Sequence, residues 1–310
     1  YASVQAPLTG QDYAATPAPA PAAPFLLLLA TGAGGSMGGA FTPGSSWTTT
    51  LLPPASADVL DCIGGTPLVE LRRLVTPAMG RVLVKVEGAN PTGSMKDRMA
   101  RAAVEAAEAN GTLRPGGAVV EYTGGSTGTS LALVCAARGY PLHIVTSDAF
   151  SQEKRDHQAA LGASITLVPS DNGQITEQLI RTMIETARRI AAETGAWWVD
   201  QLNNVDAAAG YEPLGEEIWE QTGGRVDAFV QAVGTAHSIH GVTAALRRHR
   251  PEIRTVAVEP AESPVLGGGR TGAHEIEGIG IGFAPLPTRR ASTPMRAKLR
   301  AISCTVNITP

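Results

Sequence analysis

The sequence predicts an α/β fold in which mainly parallel sheets are flanked by helices and a cleft separates two sheets. Two observations predict it. Short apolar runs alternate with helical segments of ten or more residues over most of the chain, a pattern that requires right-handed crossovers between parallel strands. The most polar, glycine-rich loops follow strands and precede helices, where open parallel sheets hold ligands. The 310 residues are 43% apolar, enough to bury a sizeable core.

Residues 1–57 are rich in Ala, Pro, Gly, Ser and Thr and lack either period. They read as a disordered extension that adds nothing to folding. Ordered sequence begins near Asp58. Val82–Val86 reads as a strand, and Met95–Ala109 as a helix with an Ala-rich face, stopped by Asn110-Gly111. Strands follow at Ala118–Glu121, His143–Thr146, Ile165–Val168, Trp197–Val199, Ala228–Ala232 and Thr255–Val258. Helices fall between them at Thr127–Ala137, Gln152–Leu161, Glu177–Thr194, Ala207–Gln221 and Ser238–Arg248. The pattern ends after Phe283, and residues 285–310 read as an irregular tail, with basic residues crowded into Arg289–Arg300.

The net charge of −3 argues against nucleic acid as a partner. No apolar run approaches the ~20 residues a membrane span needs, so no membrane partner is expected. Cys62, Cys135 and Cys304 are odd in number and far apart. They suit neither a disulfide framework nor a metal site, and point to a reducing cytoplasm. His143, His157, His240 and His249 have no metal spacing. Asn307-Ile308-Thr309 matches a glycosylation sequon without a secretory context.

Three loops carry chemistry. In Asn90-Pro91-Thr92-Gly93-Ser94-Met95-Lys96-Asp97-Arg98 a lysine follows a forced turn at the start of a helix. An amine held partly neutral there is suited to a Schiff base. In Thr123-Gly124-Gly125-Ser126-Thr127-Gly128, glycines and hydroxyls precede a helix whose positive end favours a carboxylate. The plain alternative is a Gly-rich connection. In Gly234-Thr235-Ala236-His237-Ser238 the same physics suits a phosphate, although the loop matches neither dinucleotide-binding nor Walker patterns. Together the loops suit pyridoxal 5′-phosphate holding a small amino-acid substrate.

The chain resembles the cysteine synthase and cystathionine β-synthase family of fold-type II pyridoxal-phosphate enzymes. The likeness rests on IGGTPLVEL (63–71), NPTGSMKDR (90–98), GASITLVPS (162–170), VDAFVQAVGT (226–235), VAVEP (256–260) and HEIEGIGIGF (274–283). It covers residues 58–284 in register, and its SMKDR form is nearer to synthases than to the serine and threonine dehydratases of that fold. The resemblance implies a catalytic domain over 58–284, with a small sub-domain over about residues 89–203 and a large one over about 58–88 and 204–284. It implies that Lys96 binds the cofactor covalently and that Gly234, Thr235, Ala236 and Ser238 hold its phosphate. Thr123, Gly124, Gly125, Thr127 and Gln201 would hold the substrate carboxylate. Ser126 and His237 stand where the family usually has Asn and Gly; a histidine there either caps the phosphate or obstructs it. The implied reaction is β-replacement on an activated serine, such as O-acetylserine, by sulfide or a thiol through an aminoacrylate. β-Elimination and a truncated, non-catalytic remnant are the alternatives. A homodimer is implied as well. So is the loss of the family's C-terminal segment, or a tail read out of frame.

Overall fold

The computed structural model describes residues 26–30, 58–73, 75, 80–272, 274, 276, 278–283 and 299–304. Two sheets organise them. The smaller contains β4 (Val119–Tyr122), β5 (Leu142–Ser147), β6 (Ser164–Val168) and β7 (Trp197–Trp198), all parallel, in the order β6-β5-β4-β7. The larger contains β1 (Leu26–Ala30), β2 (Leu68–Glu70), β3 (Arg81–Lys85), β8 (Ala228–Ala232), β9 (Arg254–Pro260) and β10 (Leu299–Cys304). Its order is β10-β9-β8-β1-β3-β2. β8, β9 and β10 are parallel, whereas β1 runs antiparallel to both β3 and β8, and β2 antiparallel to β3.

Strand β1 corrects the reading of residues 1–57 as wholly unstructured. Leu26–Ala30 pairs on both edges, with Leu28 opposite Leu83 on one side and Phe229 on the other. An unbroken apolar run without alternation carries no period to detect. The tail needs the same correction, because Leu299–Cys304 pairs in parallel with β9. Residues 1–25, 31–57, 284–298 and 305–310, including the sequon, lie outside the described residues.

The helices form where the sequence places their signals. Helix α1 (Lys96–Ala109) begins with Ser94 Oγ accepting from the Lys96 amide at 3.1 Å and an acid, Asp97, in its first turn. Helix α2 (Ser126–Arg138) ends at Gly139 in the left-handed region, with Tyr140 N reaching Cys135 O. The hydroxyls of Ser151 and Thr176 cap α3 (Gln152–Ala160) and α4 (Glu177–Thr194).

The single helix expected over 207–221 is two, α5 (Asp206–Ala209) and α6 (Glu212–Gln221). Between them Gly210 presses on α1: a Cβ there would lie 2.9 Å from the Arg98 carbonyl oxygen and 2.6 Å from Ala102 Cβ. Helix α7 (His237–His249) packs with α6 beside the large sheet.

Helix α1 joins the two cores. Met95 and Met99 pack with Leu83, Tyr211, Leu214, Phe229 and Val242. On its other side Ala100, Ala103, Val104 and Ala107 pack with Val119, Leu131 and Ile144. Residues three and four apart on a helix share a face, so one short helix serves both. Lys96 is the first residue of that helix. Among the described residues no helix is long and apolar enough to cross a membrane.

Removal of residues 1–57 is expected to lower the melting temperature clearly. It takes β1 from the middle of the large sheet and breaks the ladder on two neighbours, at about 0.5–1.5 kcal/mol net per backbone hydrogen bond. Calorimetry of the shortened chain tests this; an unchanged melting temperature would show that β1 carries no stability.

Candidate active site

The three loops singled out in the sequence meet. Thr123 follows β4, and Val233-Gly234 follows β8. Thr92 and Asp97 tie the lysine loop to α2: Asp97 accepts from Thr92 Oγ1 at 2.5 Å, from Thr92 N at 2.9 Å and from Ser130 Oγ at 2.5 Å. Gln231, at the end of β8, donates to Ser238 Oγ in the third loop and lies 3.8 Å from Met95 Sδ, one residue before Lys96. The charge of Lys96 is felt by His237 in that same loop.

Lys96 is half-buried, and its amine makes no hydrogen bond or ion pair among the described residues. Desolvation pushes it down to about 8. Roughly a tenth of such an amine is neutral at pH 7, against a few in ten thousand for an ordinary lysine. Lys85 is also buried, and burial lowers it too, but Glu217 works against the shift. It donates to Thr66 O (2.6 Å), Glu217 (2.7 Å) and Gln221 (2.9 Å), so it is committed to structure.

Asp97 and Arg98 do not pair with each other. Arg98, 5% exposed, is held between Glu87 (2.7 and 3.0 Å) and Glu217 (2.7 and 2.9 Å). Burial alone would raise Glu217, but hydrogen bonds from Arg98 and then Lys85 hold it at about 2. Thr66 donates to Glu87, Gly65 N to Glu217, and Asn90 links Gly64 N to Glu87. The result is a neutral set of two cations and two anions binding the 64–66 turn, the end of β3, α1 and α6.

In the second loop, Thr127 Oγ1 donates to Gln201 Oε1 (2.8 Å) and Gln201 Nε2 to Tyr122 O (2.8 Å). The Gln201 amide in turn donates to Glu121, fully buried behind the loop. Among the described residues the amides of Ser126 and Thr127 have no backbone acceptor. Gly124 and Gly125 lie under side chains from the loop before α3 and from α3 itself: a Cβ at Gly124 would lie 2.5 Å from the Phe150 ring, and one at Gly125 2.5 Å from Lys154 Cδ. Ser126 is half-buried at the first position of α2.

In the third loop the amides of His237, Ser238 and Ile239 have no backbone acceptor among the described residues, at the positive end of a 13-residue helix. Ala236 holds φ 68°, rare for a residue with a Cβ. Gly234 allows no side chain, since a Cβ would lie 2.6 Å from Gly278 O. The irregular strap 278–283 thus closes on this loop, with Gly280 N bonded to Val233 O and His274 Nε2 to Gly280 O. Ile281 and Phe283 reach the core of the small sheet. His237 is 1% exposed, its Nδ1 3.2 Å from Thr235 Oγ1. Burial, then the Lys96 charge, pushes it down to about 4.

Sequence reasoning missed Lys85, Glu87, Glu217, Gln231 and the cover by Phe150 and Lys154. The one local signal was available: charges in VLVKVEG (82–88) stand in an otherwise apolar strand, which marks buried, paired groups. Among the described residues no three His, Cys, Asp or Glu side chains form a metal site. His143 bonds Ser164 and Thr166, and His249 stacks on Trp219.

An amine with no competing partner among the described residues, an amide-lined loop that excludes side chains and a second helix start tied to the lysine loop through Ser130 fit a phosphorylated aldehyde and an amino acid. The model of the family described as pyridoxal-phosphate dependent enzyme matches residues 59–303. The chain belongs to that family. The match runs past Phe283, where the recognisable motifs end, and reaches β10. A cysteine synthase of Staphylococcus aureus is 39% identical over 230 residues, covering 74% of this chain and 72% of the relative. The crystal structure of a cysteine synthase from Entamoeba histolytica superimposes with TM-score 0.72 at 32% identity, over 86% of this chain and 76% of that one. An O-ureido-L-serine synthase gives TM-score 0.70 at 34% identity, over 81% and 77%. An O-acetylserine dependent cystathionine β-synthase from Helicobacter pylori gives 0.70 at 29%, over 80% and 79%. The chain is an enzyme of the fold-type II class, and pyridoxal phosphate is its cofactor.

Two outcomes are expected. Borohydride trapping of cofactor-free protein with pyridoxal phosphate should label Lys96, with a rate rising through about pH 8 as the amine loses its proton; a label on Lys85 would contradict the assignment. Arg98→Met should cost about 3–5 kcal/mol by leaving the buried Glu87 carboxylate without its cation while Lys85 still holds Glu217, measured by denaturant titration, and should weaken cofactor retention.

Proposed function

We propose that this chain catalyses β-replacement on an activated serine, with O-acetylserine or a related ester as donor and sulfide or a thiol as the incoming group. The observation that carries it is the Lys96 amine, partnerless and pushed down to about 8, between a loop suited to a carboxylate and a loop suited to a phosphate. The printed names of the relatives, cysteine synthase and O-acetylserine dependent cystathionine β-synthase, support the same chemistry. Family likeness supports a homodimeric enzyme working in the cytoplasm.

In this reading Gly234, Thr235, Ala236, His237 and Ser238 hold the cofactor phosphate, with the amides of residues 237–239 as donors. The start of α2 binds the substrate carboxylate through the Ser126 and Thr127 amides, with Thr123, Gly124 and Gly125 shaping the loop. Gln201 keeps Thr127 in one rotamer, so carboxylate binding needs little reordering. Pyridoxal phosphate, when bound, supplies the electron sink that makes the carbon beside the amino group acidic. Lys96 Nζ takes the α-proton, holds it while the leaving group departs from the β-carbon, and returns it after the nucleophile adds. An amine near neutrality does both at pH 7–8. Phe150 and the strap at 278–283 cover the two loops, which limits water at the reacting carbon.

The test is a product assay on the full chain with pyridoxal phosphate, O-acetylserine and sulfide. Cysteine is expected, and Lys96→Ala should remove it by at least about three orders of magnitude, the upper range for a proton-transfer group. Pyruvate without cysteine would assign elimination instead.

A further inference from the structure

His237 has no part in the steps above beyond its place in the loop, yet it occupies the loop's most sensitive position. It is 1% exposed at the first residue of α7. Its Nδ1 is 3.2 Å from Thr235 Oγ1, and its Nε2 has no hydrogen-bond partner among the described residues. The titratable groups acting on it are Lys96 of α1 and His240 one turn along α7. A phosphate or sulfate dianion offers only acceptors. Thr235 helps to hold one only if its single hydroxyl proton points at the ligand. That requires Nδ1 to carry hydrogen and donate to Oγ1.

We propose that His237 is a positioning residue for an oxyanion dianion in this loop: Nδ1–H turns the Thr235 hydroxyl outward as a donor, and Nε2 takes up a proton as the dianion binds. The proposal deepens the reading of residues 234–238 as the phosphate loop and rests on it. Its physical basis is charge. Without the anion, burial and the Lys96 cation keep the imidazole neutral. Two negative charges in a poorly solvated site favour the imidazolium. Binding and protonation then strengthen each other, so affinity rises as pH falls.

Sulfate is the probe. It stays a dianion near pH 6, neither gives nor takes a proton, and does not react with Lys96, which is already protonated there. Calorimetric titration of the full-length, cofactor-free protein at pH 6, in two buffers of different ionisation enthalpy, reads the protons taken up. Uptake approaching one per sulfate is expected, with affinity rising by up to about tenfold per unit as pH falls from 7 to 5. His237→Asn keeps a donor near Nδ1, and His237→Gln one near Nε2; both should bind sulfate without uptake, while His240→Asn should retain it. Sulfate binding without uptake in the native chain, or uptake unchanged in both His237 variants, overturns the proposal and leaves the phosphate loop standing. Failure to bind sulfate while pyridoxal phosphate is retained also overturns the proposal alone. Failure to bind either overturns both.

Discussion

Arg98 lies between the carboxylates of Glu87 and Glu217, and the geometry of the site depends on that placement. A buried ion set of this kind contributes little net stability, because desolvation offsets most of the attraction. What it supplies is orientation. The guanidinium offers donors in a rigid plane, and both carboxylates accept in pairs. Rotation of α1 about its axis would break several charged hydrogen bonds at once. Lys96 lies two residues earlier on the same helix, so its direction is inherited from Arg98.

Two lysines, one buried and one half-buried, show how one chain separates structural from chemical use of the same group. Both are desolvated. Lys85 meets Glu217, Gln221 and the Thr66 carbonyl, and remains a cation that holds elements together. Lys96 meets no anion among the described residues, so desolvation acts on it unopposed. Asp97, its immediate neighbour, is turned away by Thr92 and Ser130. Those two hydroxyls therefore matter to Lys96 without touching it: they occupy the carboxylate that neighbours it in the chain.

Much of this was legible in the sequence because it is local. Strand–loop–helix alternation depends on neighbours in the chain, and α4 and β8 fall where their periodicity puts them. The loops were legible for the same reason, since glycine and hydroxyl clusters act within a few residues. The charge set was not, because Arg98 and Glu217 are 119 positions apart and either alone reads as a surface residue. The break at Gly210 was hidden because its cause is the Arg98 carbonyl on another helix. β1 was hidden because LLLLA (26–30) has no alternation and sits in Pro- and Ala-rich sequence.

The position of β1 has a kinetic side. β3 and β8 are joined only through this strand, which belongs to the first tenth of the chain, and Leu27 must find Val230 about two hundred residues later. Pairings of such sequence separation close the longest loops and form late. During synthesis β1 and β3 emerge early and pair as a ribbon whose other edge waits for β8. Until then that edge exposes unpaired amides and carbonyls beside an apolar run, the kind of surface on which a neighbouring nascent chain can add a strand. The large sheet is therefore the last part of this protein to be completed and the part most in need of protection while it forms.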